Sequence, residues 1–390
     1  MFLQNSSYPD SEFQSSSFQT SEFLQALGWS GFFAAQLDPA LDATPDNTPA
    51  AVPGRVASAN HGRFLIWTEA GDVDAGVSGA LRNSGALWPA VGDWVVVRPH
   101  DAVIDRVLTR HTCVSRKQPE REIREQVLAA NIDVLFIVSG LDRDYNPRRI
   151  ERFLVMANES GARPVVLLNK ADLAPSLGLN LEETVASVQQ LSPAITVLPI
   201  SARSDENLDA LPSQLGPGQT AALIGSSGVG KSTILNRLLG DERQATNEVR
   251  ASDSRGRHTT TTRQLFRMPA SAANQSGWLL MDLPGLREVQ LWANPDQPAT
   301  QAAQTLEASF DDIQALAENC RFRDCTHGAE PGCAVTSANL DPARLANFQK
   351  MQKELAHLER KTNPRLAKET RAKWNAIEKS VRSHPKRDES

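Results

Sequence analysis

The run Gly225-Ser226-Ser227-Gly228-Val229-Gly230-Lys231-Ser232 has the residue types and spacing of a phosphate cradle. Its glycines let backbone N–H groups curl around phosphate oxygens. Lys231 reaches the β and γ phosphates, and the Ser232 hydroxyl, with Thr233 beside it, stands where Mg2+ is ligated. An apolar run before it (Thr220 to Ile224) and a helical stretch after it (Ser232 to Leu239) give the strand-to-helix context the cradle needs. Asp282-Leu283-Pro284-Gly285 follows the apolar run Trp278 to Met281. It supplies an aspartate to hold Mg2+ through its water shell and a Gly285 N–H for the γ-phosphate. Alone, Asp-x-x-Gly is an everyday turn, and its weight comes from the phosphate loop.

Asn169-Lys170-Ala171-Asp172 closes another apolar run, Pro164 to Leu168. The Asp172 carboxylate can accept two hydrogen bonds from the ring N–H and exocyclic amine of guanine, and a site built on that pair rejects adenine, which would leave the Asp unpaired. Ser201-Ala202, after the run ending at Ile200, suits a loop that meets the guanine oxygen through its backbone. Between phosphate loop and Asp282 lies Gly256-Arg257-His258-Thr259-Thr260-Thr261-Thr262-Arg263. Thr260 or Thr261 can close on Mg2+ as a switch loop orders. Leu286 stands where Ras-like enzymes place the Gln that orients the attacking water, so intrinsic hydrolysis is expected to be slow unless another group serves. His258 is the candidate catalytic side chain beside Lys231.

These motifs come in an unusual order. The base-reading tetrapeptide precedes the phosphate loop, whereas an ordinary small GTPase runs the other way, so the order implies a circularly permuted G domain. Farther on, Cys320-x4-Cys325-x-His327-x5-Cys333 offers three thiolates and an imidazole, a full tetrahedral set for one structural Zn2+ with no position left for catalysis. Three of the chain's four cysteines fall in this loop, which argues against a disulfide framework and for a reducing compartment. Cys113, far away, is read as a small core residue.

The elements that must position these residues change in texture along the 390-residue chain. Residues 1 to 20, rich in Ser, Gln and Asn, are expected to stay disordered. Phe23, Leu24, Leu27, Trp29, Phe32, Phe33 and Leu37 recur at helical spacing and predict a short helix or two. From Gly54 to Arg116, short β-rich runs (Arg63 to Thr68, Trp94 to Arg98, Ala102 to Leu108) between turn residues predict a small barrel, with the OB-fold as leading candidate. Beyond residue 130, continuous apolar runs alternate with helical stretches such as Arg148 to Ser160, as in a doubly wound α/β domain. After Asn294 the chain reads as helices around the Cys-rich loop, ending in a charged helix Leu345 to Lys361 and a basic tail. The expected division is a 1–53 extension, a 54–116 barrel, a 117–293 GTPase domain and a 294–390 zinc-binding helical domain.

Net charge is -5, which excludes a general attraction to nucleic acid, but it is unevenly spread. No Lys or Arg precedes Arg55, while residues 341–390 hold 13 Lys plus Arg against 7 Asp plus Glu. The tail is therefore a better polyanion contact than the barrel, where seven Arg face six acids in residues 55–116. Trp67, Trp88 and Trp94 can stack on bases, although aromatics in small barrels more often fill the core. No secretory plan opens the chain and no apolar run reaches membrane-spanning length, so no membrane partner and a cytoplasmic location are expected.

Together these residues resemble the RsgA (YjeQ) family of ribosome small-subunit-dependent GTPases, over about residues 54 to 380. The resemblance implies an N-terminal OB-fold, a permuted GTPase domain and a C-terminal zinc-binding helical domain that clamp the small ribosomal subunit and its rRNA late in assembly, GTP hydrolysis to GDP helping release. It carries the zinc ligands to Cys320, Cys325, His327 and Cys333 and the guanine contacts to Asn169 and Asp172, and a monomer is expected. Gly228 stands where potassium-assisted relatives have Asn, so no potassium site on that side chain is expected. A nucleotide-sensing RNA-binding module with little turnover is the competing reading, motivated by Leu286.

Overall fold

A computed structural model describes residues 21–37, 51–117, 125–192, 195–240, 263–271, 274, 277–284, 299–328 and 330–362. The chain divides into two compact units: residues 1–111, 209–221 and 260–281 form the first, and residues 112–208, 222–259 and 282–390 the second.

In the first unit, strands β1 (Val52–Asn60), β2 (Arg63–Thr68), β3 (Gly71–Val77), β4 (Trp94–Arg98) and β5 (Val103–Val107) close a barrel. β1 pairs with both β2 and β4, β3 runs parallel to β5, and β4 pairs antiparallel with β5. The order 1-2-3-5-4 returning to 1 is the five-stranded closed barrel expected of an OB-fold. Nine residues and a register shift between Val56 and Ser58 let β1 serve two neighbours. Gly54 permits the crossing, since a Cβ there would lie 2.4 Å from the Ile66 side chain. Val56, Phe64, Ile66, Ala75, Val95, Val97 and Ile104 fill the interior.

The aromatic-rich N-terminal segment forms helices α1 (Glu22–Ala26), capped by Ser21, and α2 (Gly31–Ala34). Its burial is purposeful. The rings of Trp29 and Phe33 lie 4.7 and 5.8 Å from that of Trp94, a fully buried residue of β4. Arg55, also buried, donates to the Leu27 carbonyl (2.8 Å) and the Thr220 hydroxyl (3.2 Å) and sits 5.3 Å from the Trp94 ring. A short helix α3 (Gly79–Asn83) links β3 to β4. Trp88 is half exposed, while Trp67 lies 4.6 Å from the Arg267 guanidinium, so the three barrel tryptophans have three different surroundings.

The second unit opens with a hairpin of β6 (Cys113–Lys117) and β7 (Glu125–Ala130). Strands β8 (Val134–Gly140), β9 (Arg163–Asn169) and β10 (Thr196–Pro199) follow in parallel, and the end of β11 (Thr220–Gly225) lies beside β8. β8 and β11 are buried at every position, which is why they read as unbroken apolar runs. Helix α4 (Pro147–Ser160) starts where Asn146 caps the N–H groups of Arg148 and Arg149 with Pro147 at its first position, and it stops at Gly161, φ 80°. α5 (Leu181–Gln189) and α6 (Lys231–Leu239) follow β9 and β11.

Two further strands, β12 (Gln264–Met268) of the first unit and β13 (Trp278–Asp282), whose last residue belongs to the second, precede the C-terminal helices. Those helices, α7 (Ala299–Ala308), α8 (Asp311–Ala317), α9 (Ala334–Ser337) and α10 (Pro342–Thr362), belong to the second unit. They share a core with α4: Val155 packs with Leu306, Phe310, Ile313, Val335, Phe348 and Met351. Residues 1–20, 38–50 and the tail beyond Thr362 lie outside the described residues, so the expectations for them have no structural counterpart.

Because Trp29 completes the packing around Trp94, Trp29→Ala should lower the unfolding free energy of the first unit by about 3 to 5 kcal/mol. Urea unfolding followed by tryptophan fluorescence measures this, and an unchanged midpoint would show that the N-terminal segment contributes nothing to the barrel.

Candidate nucleotide and metal sites

The ladder between β8 and β9 sets Gly140 opposite Asn169, and that between β9 and β10 sets Leu168 opposite Pro199. The loops leaving these strands therefore emerge at one edge, the carboxyl end where parallel sheets hold ligands. Gly225 ends β11 at the same edge, so close to β8 that a Cβ would lie 2.4 Å from the Val138 carbonyl. Chain order is inverted, yet the motifs meet.

Asn169 makes the meeting physical. Its buried amide donates to the Val229 carbonyl of the phosphate loop (2.7 Å) and accepts from the Ala202 N–H (3.1 Å). Gly230, at φ 101°, allows the approach, because a Cβ would stand 2.3 Å from Asn169 Nδ2. Lys170, in the left-handed region at φ 65°, donates to the Gly228 carbonyl (2.8 Å) and pairs with Asp142. Ala171 donates its N–H to Ile200 (3.0 Å), which leaves Asp172 exposed with Ser201 Oγ donating to its carboxylate (2.6 Å). A carboxylate so oriented and open to solvent can meet a donor pair such as that of guanine.

Lys231 begins α6 and is buried, its Nζ donating to the Gly225 (3.0 Å) and Ser226 (2.8 Å) carbonyls. Burial pulls its pKa down, and the nearby Asp282 carboxylate opposes this. Asp282 is buried at the end of β13, and the next residue, Leu283, donates to the Leu223 carbonyl (3.3 Å). Ser227, Gly228, Ser232 and Thr233 are exposed around the loop and first turn of α6, where N–H groups favour an anion. The hydroxyl of Ser232 and the carboxylate of Asp282 are hard oxygen donors of the kind Mg2+ takes. His258, Thr260, Thr261 and Gly285 lie outside the described residues.

Three side chains that motif reading passed over also reach the site. Ser226 Oγ donates to Asp144 (2.9 Å) and accepts from Arg149 (2.9 Å), and Arg149 pairs with Asp144. The Arg149 hydrogen bond holds the Asp144 carboxyl below its usual range. At Asp142 burial pushes upward, but hydrogen bonds from Lys170 and the Asp144 N–H outweigh it. The available signal was position: Leu141-Asp142-Arg143-Asp144 follows directly on a buried parallel strand, where ligand loops begin.

The cysteine loop brings its four predicted ligands together. One donor atom from each of Cys320, Cys325, His327 and Cys333 lies within 4.8 Å of all the others. The Cys320 and Cys333 sulfurs are 3.9 Å apart, and His327 Nδ1 is 3.7 and 3.6 Å from them. Tetrahedral Zn2+ with bonds of about 2.3 Å to sulfur requires ligand separations of about 3.8 Å, so this donor set fits. The loop is braced on three sides. Arg321 donates to the Gly332 carbonyl (3.1 Å), Glu330 accepts from the N–H groups of Thr326 (2.9 Å) and Gly328 (2.7 Å), and Gln349 of α10 donates to the Thr326 (3.1 Å) and His327 (2.8 Å) carbonyls. Hydrogen bonds from Thr326 and the loop N–H groups hold the Glu330 carboxyl at about 2.

The thiols are unequal. Burial pushes Cys333 up, but hydrogen bonds from Thr336 and contact with His327 outweigh it and bring it to about 6. At Cys325 a backbone hydrogen bond at His327 lowers the pKa, while burial and the sulfurs of Cys333 and Cys320 outweigh it and push the thiol to about 11.

Comparison with known proteins agrees with this geometry. Residues 107–292 match the RsgA GTPase family. The chain is 40% identical over 379 residues to "Small ribosomal subunit biogenesis GTPase RsgA" of Opitutus terrae, covering 92% of this chain and 97% of that relative. In fold it is similar to the crystal structure of YjeQ from Thermotoga maritima (TM-score 0.54, 24% identity, 78% of this chain and 98% of that one). It is also similar to YloQ, described as a circularly permuted GTPase (TM-score 0.50, 20% identity, 80% and 98% covered).

Elemental analysis of the purified protein should find about one zinc per chain, and Cys320→Ser or Cys333→Ser should lose it together with part of the thermal stability of the second unit. Retention of the metal in both variants would show that the ligand set is misassigned.

Proposed function

The chain belongs to the RsgA family of GTPases, and we propose that it binds the small ribosomal subunit in its GTP form, assists late maturation of the subunit, and leaves after hydrolysis. The observation that carries the nucleotide part is the Asn169 amide, which joins the guanine-reading tetrapeptide to the phosphate loop across 2.7 Å. The ribosomal part follows the function of relatives named as small ribosomal subunit biogenesis GTPases, which share about 40% of their residues across most of the chain.

In this reading Asp172 accepts the two guanine donors, Ser201 orients its carboxylate, and Ala202 frames the base. The N–H groups of residues 225–230 and Lys231 bind the phosphates and stabilise the charge that grows on the transferred group. Ser232, Asp282 and Thr260 or Thr261 would hold Mg2+, which neutralises charge on the β and γ oxygens when bound. With Leu286 in place of a water-orienting Gln, His258 places the attacking water, and contact with the subunit completes the arrangement. Gly285 meets the γ-phosphate. Cys320, Cys325, His327 and Cys333 hold one structural Zn2+ in a helical domain of residues 294–390, and the basic tail supplies rRNA contacts. No helix among the described residues is long and apolar enough to cross a membrane. We assign the protein to the cytoplasm, as a monomer.

GTP turnover measured with and without purified small subunits tests the proposal: stimulation by an order of magnitude or more is expected, on the scale that completing a GTPase site produces. No stimulation, together with no nucleotide-dependent binding to subunits, would sink it. Asp172→Asn should reverse the base preference from guanine toward xanthine nucleotides, because the amide donates where the carboxylate accepted. Unchanged guanine selectivity in a competition assay would mean that Asp172 does not read the base.

A further inference from the structure

Helix α4 touches the phosphate loop with one side of its first turn and the C-terminal helices with the other. Arg149 donates to Ser226 Oγ (2.9 Å) and, with Asp144, clamps that hydroxyl. Arg148, one residue earlier, pairs with Asp341, and its backbone carbonyl accepts from Asn347 Nδ2 (3.2 Å). Glu151 is buried; it accepts from Asn347 (2.6 Å) and Arg344 (2.8 Å) and also pairs with Arg148. Arg344 is buried in turn, forked onto Asp312 of α8 (2.7 and 2.8 Å) and stacked 4.6 Å from the Phe310 ring. On α10, two residues past Asn347, Gln349 holds the carbonyls of Thr326 and His327 in the cysteine loop.

We propose that α4 and α10 act as two rigid levers joined by the Glu151–Asn347–Arg344 junction, through which the phosphate loop and the zinc loop set one another's conformation. Arg149 and Gln349 are the positioning residues at the ends. The joints at Ser226, Glu151 and His327 are buried or half-buried hydrogen bonds, and between them the connection is regular helix, so displacement at Ser226 has few ways to be absorbed before His327. Buried charge pairs of this kind stabilise no better than apolar packing. Their geometric specificity suits registration of two parts, the best-attested use of such groups. The side-chain route is additional to the covalent one through residues 285–298. The idea rests on the nucleotide reading given above, since it takes Ser226 to line the phosphate site.

A coupling between sites must be reciprocal and must show as a difference between liganded and free states. Hydrogen exchange of the full-length, zinc-loaded chain, with and without GDP or a non-hydrolysable GTP analogue, reads it at amides of residues 320–333. Nucleotide is expected to slow exchange there by about fivefold or more, the lower end of ordinary coupling. In Asn347→Ala, which cuts the junction outside the nucleotide site, nucleotide should still bind while the slowing at the loop disappears. Should that variant fail to fold, Gln349→Ala, which cuts the last joint at a half-buried position, decides the matter alone. A purely structural role would change loop exchange equally with and without nucleotide, and that result would overturn the proposal. So would a wild-type loop that does not respond to bound nucleotide, or a response that survives in the variants that fold. Failure of either nucleotide to bind the wild type would instead overturn the nucleotide reading, and the coupling with it.

Discussion

One side-chain amide holds the nucleotide site together. Asn169 is 2% exposed, and it joins the β9 loop to the phosphate loop through Nδ2 and to the β10 loop through Oδ1. A buried amide deprived of such partners costs about 1 to 3 kcal/mol, so the fold is bound to keep them. That requirement fixes other residues. Gly230 has no room for a side chain, β9 must end in register with β8, and β10 must bring Ala202 within reach. The two segments proposed to read base and phosphates, about sixty residues apart in the chain, are thereby tied directly to one another.

Seen through this amide, circular permutation changes less than the motif order suggests. Loops at the carboxyl edge of a parallel sheet are neighbours because their strands are neighbours, whichever is made first. What permutation does change is the chain that leaves the site. Asp282 now leads toward α7 and the cysteine loop, and α4, which follows β8, packs its Val155 into the same core as Phe310, Phe348 and Met351. The helices flanking the cysteine loop are thus built onto the unit that carries the nucleotide motifs by shared apolar burial as well as by chain connection.

Sequence made some of this legible and hid the rest for physical reasons. β8, β9, β11 and β13 are apolar runs because both faces are covered along most of their length, and α4 announces itself by Asn146-Pro147 at one end and Gly161 at the other. The cluster of three cysteines and a histidine was legible because its four side chains lie within fourteen residues. Local features leave local signatures. The Asp142–Lys170 pair, the Asp144–Ser226–Arg149 clamp and the Arg55–Leu27 bond join residues 28 to 82 positions apart, and no periodicity records such partners. The N-terminal aromatics showed the same limit: their spacing gave two short helices, but nothing in it pointed to Trp94 as their destination.

The cysteine loop presents the opposite balance, strong local chemistry on weak local structure. Between α8 and α9 its described residues form no regular element, His327 sits at φ 56° and Gly332 at φ 79°, and its braces are hydrogen bonds donated by Arg321 and Gln349 and accepted by Glu330. Three sulfurs drawn within 4.8 Å of one another resist joint ionisation: with Cys333 favoured as thiolate by its hydrogen bonds from Thr336, its sulfur and that of Cys320 help push Cys325 to about 11. A dication reverses that penalty, since it favours every thiolate at once and ties four points of the loop to one centre. Zn2+ would therefore contribute the rigidity that backbone structure does not. The carbonyls of Thr326 and His327, to which α10 is hydrogen-bonded through Gln349, would become fixed points, and a helix can transmit displacement only against something that does not yield.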